Sequence, residues 1–138
     1  MARKKRKPNI KKLQGKRILV VEDQPLLREL LTELLRRYDH PSQANSGKDA
    51  LEQIEHKTPD IILLDLNLPD MNGLEVARQI RRSEKAGRIP ILAMSGNPMD
   101  KKKCLEMGCN DFVQKPFDES TLLVRLSALI PHRSRSLN

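Results

Sequence analysis

Ile61-Ile62-Leu63-Leu64-Asp65 is the stretch on which the fold turns. Four consecutive apolar residues with no polar alternation predict a strand covered on both faces, the condition of a parallel sheet held between helical layers. The carboxylate that follows then stands at the sheet edge, where an unpaired charge is costly. Working outward, Ile18-Leu19-Val20-Val21, Ile91-Leu92-Ala93-Met94 and Phe112-Val113 repeat the pattern, and a weaker strand is predicted near Ser42 to Asn45.

Helical periods fill the intervals. Leu26, Leu27, Leu30, Leu31, Leu34, Leu35 and Tyr38 recur at the spacing of an amphipathic helix, with Pro25 suited to its first turn. Ser46-Gly47-Lys48-Asp49 resembles a capping arrangement ahead of Ala50, Leu51 and Ile54, and Leu74, Ala77 and Ile80 mark a third helix. A fourth is predicted from Pro98 to Gly108, where glycine takes a left-handed terminal conformation, and a fifth from Asp118 to Pro131. Alternating strands and helices with short joins imply right-handed crossovers: an α/β chain, with five parallel strands in a doubly wound (βα)5 sandwich.

The 138 residues suit one domain with a single core. Eight of the 26 basic residues fall in residues 1–16, which hold no acid, leaving 18 to balance the 18 acids of the rest. The net charge of +8 thus belongs to an arm over 1–16, expected to be flexible, ahead of a neutral body over 17–131 and a tail over 132–138. Aromatic residues at 2% leave that body without stacking platforms for single-stranded nucleic acid. With no long apolar run, membrane insertion is not expected, and the protein is expected to be cytoplasmic. Cys104 and Cys109 lack partners at zinc-ligand spacing and are read as free thiols.

In a doubly wound sheet, ligands bind beyond the carboxyl ends of the strands. There the chain places Glu22-Asp23, Asp65, Ser95 and Lys115. Converging carboxylates repel unless a proton or divalent cation intervenes, and all-oxygen ligands favour a hard ion such as Mg²⁺. Asp65 would then be ionised and placed to attack phosphorus, with Lys115 and the Ser95 hydroxyl holding phosphoryl oxygens. Singly, each has a plainer reading: Asp23 as the cap of the first helix, Glu22 as a solvated loop acid, Ser95 as a turn former, Lys115 as a surface charge. Their joint placement at four strand ends favours phosphoryl transfer to a carboxylate.

At these residues the chain resembles the receiver domains of two-component response regulators, including the single-domain chemotaxis regulator. The resemblance runs from Arg17 to Pro131 and rests on Ile18 to Asp23, Pro59 to Gly73 through Asp65, Ser95-Gly96 and Lys115-Pro116-Phe117. It implies a flavodoxin-like sheet of strand order 2-1-3-4-5 and a phosphorelay role. Asp65 would accept a phosphoryl group from a sensor histidine kinase, a phosphotransfer protein or a small donor. Mg²⁺ would be bound by Asp23, Asp65 and the Asn67 backbone carbonyl, with Glu22 acting through water. Ser95 and Phe112 would form a switch pair, and the Lys115-Pro116 bond would be cis. Output would pass through the fourth helix, fifth strand and last helix to a downstream protein. Such a domain is no conventional turnover enzyme; it catalyses its own phosphorylation and dephosphorylation. Gly96, where the family commonly has a small side chain, is expected to open the site to water, and Asn67 and Asn97 to flank the water's path.

Three other readings compete. A flavodoxin would need a hydroxyl-rich phosphate loop where Glu22-Asp23-Gln24-Pro25 stands, and a haloacid dehalogenase-type phosphatase a second acid where Asn67 stands. The third treats the fold as a scaffold whose arm, residues 1–16, binds nucleic acid or an acidic partner.

Overall fold

The computed structural model describes residues 9–131. Ile18–Val21 (β1), Ser42–Ala44 (β2), Ile61–Asp65 (β3), Ile91–Ser95 (β4) and Asp111–Gln114 (β5) form one parallel sheet in the order β2-β1-β3-β4-β5. Pro25–Leu35 (α1), Gly47–His56 (α2), Gly73–Arg82 (α3), Asp100–Glu106 (α4) and Glu119–Leu129 (α5) supply the crossovers. The α/β sandwich and strand order are those expected from the sequence.

Because successive strand side chains point to opposite faces, each apolar run feeds two cores. Leu19, Val21, Ile62, Leu64, Ile91 and Ala93 pack with residues of α2, α3 and α4, whereas Ile18, Val20, Ile61, Leu63, Leu92 and Met94 pack with residues of α1 and α5. Ile61 to Leu64 are wholly buried, each contributing about 1.5–3 kcal/mol by leaving water. That burial makes β3 the rigid post that carries Asp65.

Ends follow local chemistry. The Ser46 hydroxyl accepts from Asp49 N at 3.0 Å, so the capping pattern opens α2 as predicted. Gly108, at φ +111°, ends α4: Cys109 N donates to Cys104 O at 2.9 Å and Gly108 N to Leu105 O at 3.3 Å, a Schellman closure.

The expected boundary at Arg17 needs correction. Ile10–Leu13 forms a 3₁₀ turn against α5, and Leu13 is wholly buried with the α1 and α5 leucines. Counting charge over 1–16 weighed Lys11, Lys12 and Lys16 but not Ile10 and Leu13, whose spacing of three places them on one side of a 3₁₀ turn. The packed body therefore begins before Arg17. Residues 1–8 of the expected arm and the expected tail over 132–138 lie outside the described residues. The leucine stripe of α1 also divides: Leu31, Leu34 and Leu35 are buried, whereas Leu26 and Leu30 are 75% and 60% exposed, because they lie at the edge of a stripe wider than the surface the sheet covers.

Candidate functional site

The register brings the polar strand ends to one edge. Val21 stands opposite Leu64, Asp65 opposite Met94, and Ser95 opposite Gln114, so the residues that follow β1 and β5 and those that end β3 and β4 share one crevice. The ladder continues past the strands through Leu66 N to Met94 O at 2.9 Å and Lys115 N to Ser95 O at 2.8 Å. The Lys115-Pro116 bond is cis.

Glu22, Asp23 and Asp65 each offer a carboxylate oxygen within 4.8 Å of the others. Lys115 Nζ lies 2.9 Å from Glu22 Oε1 and 3.2 Å from Asp65 Oδ1. Glu22 is fully buried and Asp65 is 2% exposed, so one partly buried ammonium serves two carboxylates shielded from water. Burial pulls the Lys115 pKa down, but its hydrogen bond to Glu22 and the charges of Asp65 and Glu22 outweigh burial and hold it above the ordinary value. Three carboxylates against one ammonium leave two formal negative charges, the complement of a divalent cation. Among the described residues nothing donates to the Asp23 carboxylate, and it does not cap α1, whose N-cap is Gln24. An oxygen-only donor set with this surplus suits Mg²⁺.

The surrounding loops are tied down by Arg28 and Asp70, to which the sequence reading gave no role, and by Asn67 and Gly73 of the expected acceptor motif. Arg28, one turn into α1, donates from Nη1 to Glu22 O at 2.9 Å and Asp23 O at 3.2 Å, pinning the acidic loop by its backbone. Asp70 reaches from the loop after β3 to accept from Gly47 N and Lys48 N, both at 2.9 Å, and these bonds hold its carboxyl below the usual range. Gly73 opens α3 against the acceptor strand so closely that a Cβ would lie 2.5 Å from Leu66 Cα. Asn67 N donates to Asp65 Oδ1 at 3.1 Å, closing a turn that orients the carboxylate. Arg28 and Asp70 have ordinary local readings as a helix residue and a loop acid, and only their hydrogen bonds give them a place at the site.

The expected switch residues occupy different settings. Phe112 is buried among side chains of the α2, α3 and α4 side of the sheet. The Ser95 hydroxyl, also buried, donates to Asp100 Oδ2 at 2.6 Å and accepts from Asn97 N at 3.1 Å. Asn97 turns its own side-chain oxygen to Met99 N at 2.9 Å. Glu22, Asp23, Asp65, Ser95 and Lys115 stand at the strand-end crevice, and Phe112 lies two residues short of it along β5, opposite Ala93.

A family model for the response regulator receiver domain matches residues 18–127. The chain is 28% identical over 115 residues to the chemotaxis protein CheY of Thermotoga maritima, covering 82% of this chain and 96% of that protein. It is 42% identical over 115 residues to the response regulator ArlR of Staphylococcus saprophyticus, covering 83% of this chain but only 52% of that one; it spans about half the length of that regulator. The receiver domain of a sensor histidine kinase from Pseudomonas aeruginosa PAO1, whose structure has a magnesium ion coordinated in the active-site cleft, superimposes with a TM-score of 0.78 at 34% identity, covering 84% of this chain and 98% of that domain.

Proposed function

The chain belongs to the response regulator receiver family of two-component signalling, and from that premise we propose that Asp65 accepts a phosphoryl group from the phosphohistidine of a sensor histidine kinase or phosphotransfer protein. One observation carries this reading: a carboxylate at the end of a fully buried strand is paired with Lys115 at 3.2 Å beside two further acids. Asp65 Oδ1 is engaged by Lys115 and by Asn67 N, whereas Oδ2 accepts no hydrogen bond among the described residues and keeps its lone pairs for attack. Oδ2 forms the new O–P bond as the P–N bond of the phosphohistidine breaks, and the imidazole nitrogen leaves with that electron pair. Lys115 and the Ser95 hydroxyl hold phosphoryl oxygens.

Asp23, Asp65 and the Asn67 carbonyl would hold Mg²⁺, with Glu22 acting through water; the ion supplies charge neutralisation at the transferring phosphoryl group. Output is proposed through α4, β5 and α5, which border a groove of about 380 Å3 lined by Pro98, Lys101, Phe112, Phe117 and Thr121 among others. Exposed Met99 and Leu105 on the α4 side offer apolar contacts to a downstream protein. No described helix is long and apolar enough to cross a membrane. The cytoplasm is the proposed compartment, in keeping with the free thiols of Cys104 and Cys109. The scaffold reading, with contacts to nucleic acid or an acidic partner through residues 1–16, is not favoured, since the family match spans the acidic cluster and leaves the arm aside.

Incubation with acetyl phosphate and Mg²⁺ tests the assignment. The parent should acquire an acid-stable, base-labile acyl phosphate, and Asp65→Asn should acquire none while melting at or above the parent's temperature, since repulsion with Glu22 and Asp23 is relieved. Full incorporation into the folded variant would overturn it.

A further inference from the structure

We propose that Asp100 is a positioning residue that holds the Ser95 hydroxyl in a resting orientation and so sets how readily the site takes up a phosphoryl group, an inference that rests on the phosphoacceptor reading above. A hydroxyl carries a single proton to donate. Here it goes to Asp100 Oδ2 over 2.6 Å, a length typical of a charge-assisted bond. While that bond stands, Ser95 can offer a phosphoryl oxygen only its lone pairs, which repel it. Loading of Asp65 therefore competes with Asp100 for one proton.

The placement of Asp100 gives the competition a mechanical consequence. It is the first residue of α4, half-buried, and its backbone N donates to Asn97 O at 3.0 Å, within the loop whose Asn97 N donates to the Ser95 hydroxyl. Capping does not account for the carboxylate: Met99 occupies the N-cap position without a side-chain cap, and among the described residues Ser95 is the group that donates to Asp100. Loss of the bond on loading frees the start of α4, and Pro98 and Lys101, on either side of Asp100, line the groove proposed for output. One hydrogen bond thus joins phosphoryl uptake to the position of the helix that borders that groove. The sequence carried a faint signal for this, an acid five residues after Ser95 at the start of a predicted helix.

Beryllofluoride, a mimic of the bound phosphoryl group, is titrated in the presence of Mg²⁺ by calorimetry. The chains compared are the parent, Asp100→Ala, Asp100→Asn, Ser95→Ala and Ser95→Ala/Asp100→Ala, with the thermal midpoint of each recorded. Asp100→Ala should tighten binding by about tenfold, the worth of a hydrogen bond to a charged group at its lower end, and Asp100→Asn by about threefold because its amide oxygen accepts more weakly. In the Ser95→Ala background, removal of Asp100 should change affinity by less than about twofold. Unchanged affinity in both Asp100 variants would overturn the proposal. Equal tightening with and without the Ser95 hydroxyl would also overturn it, since the effect would then be charge removal near an anion. Failure of the parent to bind beryllofluoride would instead overturn the phosphoacceptor reading, and this inference with it.

Discussion

Replacing Lys115 by Met keeps a long apolar stem and deletes the ammonium, which makes it a direct test of what holds the acidic crevice together. In the parent, Nζ lies 2.9 Å from a Glu22 carboxylate that is fully buried and 3.2 Å from an Asp65 carboxylate that is nearly so, while Lys115 itself is 22% exposed. Deleting one partner of a buried pair leaves uncompensated charge, at a cost of about 3–5 kcal/mol. The lower end applies here, because Glu22 keeps a hydrogen bond from Gln24 N at 3.1 Å and Asp65 keeps one from Asn67 N. For a domain of about 120 residues, 1 kcal/mol moves the melting temperature by roughly 4 °C, so Lys115→Met should melt about 12 °C lower in chelator. Mg²⁺ at a hundred times its dissociation constant for the variant should stabilise the variant by about 2.7 kcal/mol and the parent by less, because the variant's carboxylates lack their cation and bind the ion more tightly, so the deficit narrows. Melts followed by far-ultraviolet circular dichroism with chelator and with Mg²⁺ give both quantities. A deficit below about 1 kcal/mol in chelator, or one that Mg²⁺ does not narrow, would refute the reasoning. The pH dependence has a definite sign. The Lys115 pKa is held above its ordinary value of 10.5, so the parent's advantage is constant at lower pH and is lost as pH rises through the raised value.

Arg81→Ala should cost about 2–4 kcal/mol in urea unfolding, because its guanidinium donates to Gly108 O at 2.8 Å, Ile89 O at 2.7 Å and Asn110 Oδ1 at 2.7 Å, and all three acceptors lose a partner at once. Gly96→Ala should gain about 0.4–1 kcal/mol in thermal unfolding and slow loss of phosphate from Asp65, since a Cβ there meets nothing within 4 Å and a methyl would crowd the path of water; a destabilised variant would contradict the open loop. Burial raises the thiol pKa of Cys104 and pushes that of Cys109 up to about 12, so in mildly alkaline solution alkylation of Cys109 should run about a thousandfold slower than in the unfolded chain and that of Cys104 should also be slowed. Beryllofluoride should change the Cys104 rate if loading repacks α4; equal rates in both states would favour a domain that only carries the group onward.

The chain by itself determined the elements whose chemistry is local. Ile61 to Leu64 is a two-faced strand because no polar residue interrupts it, and Asp65 stands at the site because it follows that run. The same logic placed Glu22, Asp23, Ser95 and Lys115 at strand ends, and Ser46 and Gly108 at helix ends. β2 was faint for a physical reason: Ser42-Gln43-Ala44 is a short edge strand that buries only Ala44 fully, so apolar periodicity scarcely marks it. Tertiary structure decided whatever depends on a distant partner. It drew Leu13 out of a charged stretch and into the core, since two apolar residues among lysines pack only where α5 offers a surface. It left Leu26 and Leu30 outward, since they lie at the edge of a leucine stripe wider than the surface the sheet covers. It gave Asp70 its place beside the start of α2, 22 and 23 residues away in sequence, and it set the loop conformations that bring Arg28 to the Glu22-Asp23 backbone and Asp100 to the Ser95 hydroxyl, which residue type alone leaves open.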